Sequence, residues 1–194
     1  PSIKDIKFDY NTLKLIKIFS LDSKGDDKLL SSISIFFKNN GFSILDWKEE
    51  CKELFVHKNF LTKIKPSNDA IKNKIKGLEI FSLIGKADVA QSMIIQNRII
   101  LGIEAAEGTD ELIKRCFEYK KKGDGGVLLK LSKYNQDSNL DIPVIGIKTV
   151  ENLNFYKYEG IFLEKNACII IDKKEVLDFC NLNNIFISSI KKID

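Results

Sequence analysis

The chain of 194 residues is 44% hydrophobic and 30% charged, with 31 Lys and Arg against 27 Asp and Glu and a formal net charge of +4. This apolar content excludes disorder and supports one substantial core, or a core with a smaller second unit, while so thin a basic excess argues against nucleic-acid binding. No apolar run reaches the roughly 18 residues of a bilayer span and no charged-then-apolar leader opens the sequence, so a cytoplasmic protein is expected.

In chain order, residues 26–40 place Leu29, Leu30, Ile33, Phe36 and Phe37 at helical spacing, with Asp26 to cap and Gly41 to terminate. Phe42 to Leu45 reads as a short strand. Thr62 to Ser67 is polar and contains Pro66, which marks a linker. A helix is expected from Asn68 to about Leu83. Two apolar strands follow, 91–96 and 99–104, joined at Asn97-Arg98 as a hairpin. Thr109 to Lys122 is helical by periodicity and is acidic at its start and basic at its end. The run from Gly123 to Gly126 breaks it. Beyond lie a buried strand at 127–131, a helix at 149–156, strands at 160–163 and 167–171, a helix at 173–180 and a strand at 185–188. The alternation makes the fold α/β, and the hairpin makes its sheet mixed.

Four cysteines, Cys51, Cys116, Cys168 and Cys180, stand far apart among apolar neighbours, and His57 is the single histidine. Reduced core thiols are expected, and zinc sites or Ser-His and Cys-His catalysis are poorly supported. A metal here would be hard and held by carboxylates. Lysines cluster at 120–122 and 191–192, which suits a solvated face, an anionic substrate or a passing contact with an anionic membrane.

Three polar clusters could carry chemistry. Glu104-Ala105-Ala106-Glu107-Gly108-Thr109-Asp110 lies where a strand ends and a helix begins, the place where α/β sheets bind ligands and helix N-termini attract phosphate. By spacing alone Thr109 reads as an N-cap and Asp110 as a plain complement to the helix dipole, whereas Glu104 and Glu107 precede the helix. The stretch from Lys130 to Pro143 is a polar loop that combines cations with carboxylates, and it also reads as an ordinary surface loop. Asp88-Val89-Ala90-Gln91-Ser92 enters the first strand of the hairpin, where Asp88 can simply shape a turn.

In this order the clusters resemble the LpxI family, which carries a D-V-G-Q-S turn, an E-A-A-E-G-T-D block and a K-x-x-K-P-x-Q-D loop running into D-x-P. Here stand Asp88 to Ser92, the complete Glu104 to Asp110 block, and Lys130, Lys133, Gln136, Asp137, Asp141 and Pro143. Lys24-Gly25-Asp26-Asp27 and Leu61-Thr62 with Pro66-Ser67 extend the resemblance over essentially the whole chain. Ala90 replaces the usual Gly, Tyr134 the usual Pro, and Asn139 a common Arg.

The resemblance implies hydrolysis of UDP-2,3-diacylglucosamine to UMP and 2,3-diacylglucosamine 1-phosphate, a step of lipid A biosynthesis, with Mg²⁺ or Mn²⁺ as cofactor. It implies a mixed-sheet α/β domain over 63–194 that holds the lipid substrate, preceded over 1–62 by the remaining part of a Rossmann-like N-terminal domain. Because the sequence opens on Pro1, the start of that domain is expected to be missing, and a non-catalytic nucleotide-lipid-binding module is the alternative. The resemblance assigns catalysis to Asp137, Asp141, Glu104 and Glu107, and metal binding to Asp137, Asp141 and Asp110. It assigns substrate contacts to Asp88, Gln91, Ser92, Gly108, Thr109, Lys130, Lys133 and Gln136. The implied partners are a nucleotide-lipid, the cytosolic face of the inner membrane in passing, and a second copy of the chain, with no nucleic acid.

Overall fold

Why a helix stops at Asn39 can be read from its last carbonyls. In the computed structural model, α1 spans Asp26–Asn39. Gly41, at φ +85°, lets its own N–H reach Lys38 O and the Phe42 N–H reach Phe37 O, both at 3.1 Å. This paired closure needs a left-handed residue after the helix, and glycine adopts it without a Cβ penalty. The structure describes residues 9–10, 12–14, 26–84, 90–132 and 142–192.

The described residues fall into two units, one within the first fifty residues and one from Cys51 on. The first holds α1 and the short α2, Trp47–Glu50. The strand expected at 42–45 does not form: the backbone there has no regular structure, and Phe42 and Leu45 are 62% and 72% exposed. An extended segment becomes a strand only against a partner, and none among the described residues pairs with it.

The second unit is built on a five-stranded sheet. After α3 (Asn68–Ile84) come β1 (Ser92–Gln96), β2 (Ile99–Ile103), α4 (Thr109–Phe117) and β3 (Val127–Lys130). Then follow β4 (Val144–Ile145), α5 (Ile147–Phe155), β5 (Gly160–Glu164), β6 (Ile169–Ile170), α6 (Lys173–Leu182) and β7 (Phe186–Ile190). The strand order is β2-β1-β3-β5-β7. β1 runs antiparallel to both β2 and β3, whereas β3, β5 and β7 are parallel, so the sheet is mixed as the alternation required. The hairpin turns at Asn97-Arg98, both at positive φ, the geometry that matches the twist of the flanking strands.

Both faces of the sheet are covered, which is why its central strands are continuously apolar rather than alternating. Met93, Ile95, Val127, Leu129, Phe162 and Phe186 pack with Ala70, Leu78 and Phe81 of α3. On the other face Ile94, Leu128, Ile161 and Ile187 pack with Leu112 and Ile113 of α4, Val150 and Leu153 of α5, and Val176 and Cys180 of α6. Cys116, Cys168 and Cys180 are buried free thiols, and burial pushes them up to about 11, 12 and 12.

Several boundaries differ from expectation by a residue or more, those of α4, β6 and α5 among them. α4 ends at Phe117 rather than Lys122, because Lys120 is drawn into tertiary contacts: its Nζ donates to Tyr156 O and Lys157 O and lies 4.3 Å from the centre of the Tyr158 ring. The strand expected at 167–171 shrinks to Ile169–Ile170, paired in parallel with Val144–Ile145 apart from the main sheet. α5 begins two residues before the expected start, at Ile147.

The segment from Cys51 to Thr62 is fastened to this same unit. Val56 is buried and exchanges backbone hydrogen bonds with Asn166 and Cys168. Leu61 N–H donates to Ile187 O, Ile187 N–H donates to Thr62 Oγ1, and Ser189 N–H donates to Asn59 O. These bonds cover the outer edge of β7, an edge that would otherwise invite pairing with another chain. The sequence-based boundary at 62/63 falls at the end of a stretch bound to β7. His57 is exposed, and its ring hydrogen-bonds to Asn166 Oδ1 and Lys52 O.

Candidate functional site at the carboxyl edge of the sheet

β2, β3, β5 and β7 all run in one direction, so Glu104, Lys130, Glu164 and Ile190, at or just past their carboxyl ends, stand along one edge of the sheet. α4 starts at that edge, and so does α5. This is where an open α/β sheet leaves a crevice for ligands.

Lys130 is the centre of the arrangement. It is the last residue of β3 and alternates onto the α4 face, and its side chain is only 5% exposed. Its Nζ donates to Thr109 Oγ1 at 2.7 Å and to Ser92 Oγ at 3.1 Å, and it lies 4.0 Å from Glu104 Oε2. Thr109 Oγ1 donates in turn to Glu104 Oε1 at 2.9 Å and stands 3.2 Å from Ser92 Oγ. A buried ammonium is tolerated only where a counter-charge and acceptors replace its water, and Glu104 with the two hydroxyls supplies them. Glu104 N–H also donates to Ser92 O, which ties the end of β2 to the start of β1.

Between Glu104 and Thr109 the chain makes a rim. Ala105, Ala106 and Glu107 are exposed. Glu107 accepts from the Ala105 N–H at 2.9 Å and from Arg115 Nε at 2.9 Å, while Arg115 also donates to Ile103 O at 2.8 Å. The backbone amide of Glu107 and the Arg115 guanidinium hold its carboxyl below the ordinary carboxylate range. Gly108, the N-cap of α4 at φ +81° and ψ 167°, contributes no capping side chain. The first turn of α4 therefore keeps its dipole and its leading amides for another acceptor.

Asp110, in that first turn, accepts from Thr149 Oγ1 at 3.2 Å, and its other oxygen lies 3.7 Å from Lys148 Nζ, which joins the starts of α4 and α5. Beside them, Glu164 Oε2 accepts from both the N–H and the Oγ of Ser132 at 2.7 Å, and Lys192 Nζ donates to Ser132 O. Sequence reasoning missed Arg115, Glu164, Ser132 and Thr149. Glu164 closes an apolar strand with a charge, a signal that was available; Arg115 and Thr149 acquire their partners only through folding.

The structure thus brings together Ser92, Glu104, Thr109 and Lys130, with Glu107, Gly108 and Asp110 on the adjoining rim and Gln91 immediately before β1. Asp88, Lys133, Gln136, Asp137 and Asp141 lie outside the described residues. Among the described residues, no group of three or more His, Cys, Asp or Glu side chains is arranged to hold a metal ion. Asp110, 30% exposed, has the hard oxygen donors that suit a divalent cation, whereas Glu104 already faces Lys130.

The model of the LpxI C-terminal domain matches residues 57–188, more than half of the chain. The chain belongs to the LpxI family. It is 29% identical over 160 residues to the UDP-2,3-diacylglucosamine pyrophosphatase LpxI of Caulobacter vibrioides, an alignment that covers 79% of this chain and 57% of that protein. The chain therefore spans a little over half the length of this curated relative. Within the LpxI match fall Ser92, Glu104, Thr109, Lys130 and Glu164, the whole of β1, β2, β3 and β5, and β7 as far as Ser188. Among the described residues no helix is long and apolar enough to cross a membrane.

Proposed function

We propose that this LpxI-family protein hydrolyses the diphosphate of UDP-2,3-diacylglucosamine, releasing UMP and 2,3-diacylglucosamine 1-phosphate. The observation that carries the reading is the uncapped start of α4, presented at the carboxyl edge of the sheet by the motif block from Glu104 to Asp110. Phosphate oxygens are the acceptors that such a helix start favours, through its leading N–H groups and its dipole. The name of the Caulobacter relative supports the substrate.

In this reading the diphosphate lies against the α4 start, and water attacks one phosphorus as the P–O–P bridge breaks. A divalent cation of the Mg²⁺ or Mn²⁺ kind, held by Asp137, Asp141 and Asp110, would offset the charge of the diphosphate and of the departing phosphate. Asp137 or Asp141 orients the water, and Lys133 with Gln136 contacts substrate. Gly108 lets the backbone approach the phosphate, and the Glu107–Arg115 pair keeps the rim in place. The domain over 63–194 holds the lipid, and the protein works in the cytoplasm with passing contact to the inner membrane and as a homodimer.

The test is UMP release from UDP-2,3-diacylglucosamine by the purified chain, with added Mg²⁺ and after exhaustive chelation. Metal-dependent UMP release supports the reading. Substrate binding without UMP under either condition replaces it with a nucleotide-lipid-binding module, and undiminished release after chelation removes the metal from it.

A further inference from the structure

We infer that Lys130 and Glu104, linked through Thr109, form a buried positioning pair that fixes the start of α4, and that Glu104 is not a group that touches the reacting atoms. The inference rests on the hydrolase reading for its activity measurement and on geometry alone for its stability measurement.

Three observations carry it. The Glu104 side chain is 13% exposed, its Oε2 is buried with no hydrogen-bond partner among the described residues, and its Oε1 accepts from the Thr109 hydroxyl. A carboxylate that takes a proton from water, or that ligates an ion, has to present a lone pair outward; Oε2 presents none, and Oε1 is turned to the Thr109 hydroxyl. Next, Lys130 Nζ, on a side chain only 5% exposed, turns two of its three donors inward to Thr109 and Ser92 and its charge toward Glu104 at 4.0 Å. Finally, the hydroxyl between them has a fixed sense: Thr109 accepts from the ammonium and so donates to the carboxylate, a chain in which each bond polarises the next. Since Thr109 is the first residue of α4, the pair sets where that helix begins relative to the ends of β2 and β3.

The same geometry makes the two charges mutually dependent. Removing one alone leaves the other uncompensated in a nearly dry site, whereas removing both leaves no buried charge. A positioning pair therefore shows rescue: the second substitution repairs part of what the first spoils. A catalytic residue cannot be rescued in this way.

The experiment uses Glu104→Gln, Lys130→Met and the double variant in the full chain. Gln keeps an acceptor for Thr109, and Met keeps the length of the lysine stem. Thermal unfolding is measured, and UMP release is measured well below every melting point. Each single variant is expected to lower Tm on the order of 10 °C and to reduce kcat severalfold with KM little changed. The double variant is expected to melt higher and turn over faster than either single variant. Recovery of Tm with kcat at or below that of the slower single variant overturns the inference, because one of the two then acts on the reacting atoms. Additive Tm losses overturn it as well. If a single variant does not fold, Thr109→Val, which breaks the link and leaves both charges, must reduce kcat with KM unchanged, and unaltered turnover overturns the inference. If the unaltered chain releases no UMP, the hydrolase reading fails separately, and the Tm cycle alone sustains or overturns the pair.

Discussion

Gly108 and Gly146 cap the N-termini of α4 and α5, and a Cβ built on either meets nothing within 4 Å. They differ in backbone. Gly108 has φ +81° and ψ 167°, a region open essentially to glycine alone, whereas Gly146, at φ −143° and ψ −169°, is ordinary extended chain. Gly108→Ala and Gly146→Ala therefore add the same methyl group to open space and lose the same modest preference for Gly over Ala at an N-cap. Only the first incurs backbone strain of about 1–3 kcal/mol. At about 2–4 °C per kcal/mol for a chain of this size, Gly108→Ala should melt roughly 2–12 °C below Gly146→Ala. Gly146→Ala itself should stay within about 0.5 kcal/mol of the parent. Differential scanning calorimetry of the three proteins decides the matter, and equal melting points for the two variants would show that the rim is not held in the conformation described.

Native-state alkylation at pH 8 should modify Cys51 well before the other cysteines, since burial keeps Cys116, Cys168 and Cys180 as thiols; mass spectrometry showing early label on Cys168 or Cys180 would contradict the buried core. Limited proteolysis should cut first between residues 40 and 50 and leave a fragment that begins near Cys51, because residues 55–62 are bonded to β6, β7 and the turn between β5 and β6. Early cleavage at residues 62–67 would instead support the boundary drawn from Pro66.

The hairpin was legible because two apolar runs meet at Asn97-Arg98, where Asn tolerates positive φ, and β3 was legible as an unbroken apolar run. The strand at 42–45 misled because periodicity reports what a segment can bury and not whether a partner exists. α4 was read too long because Lys120 to Lys122 mimic a basic helix end, while the structure sends Lys120 to the end of α5. At the site, the block from Glu104 to Asp110 was legible as a strand-to-helix junction. The state of Lys130 was not: beside a polar loop it reads as a phosphate cation, yet it lies between Leu129 and Leu131 in a buried strand and needs a counter-ion. That flanking pattern was the available signal, and the identity of the counter-ion, 26 residues earlier in the chain, was not readable.

The proposed hydrolysis of the nucleotide-lipid diphosphate, with Asp137 among the residues that perform it, is tested by UMP release from the parent chain and from Asp137→Ala, with melting curves on the same preparations. The account predicts that kcat falls by orders of magnitude in Asp137→Ala while Tm and substrate binding stay near those of the parent, the signature of interactions made mainly in the transition state. Turnover by the folded variant equal to that of the parent would contradict it.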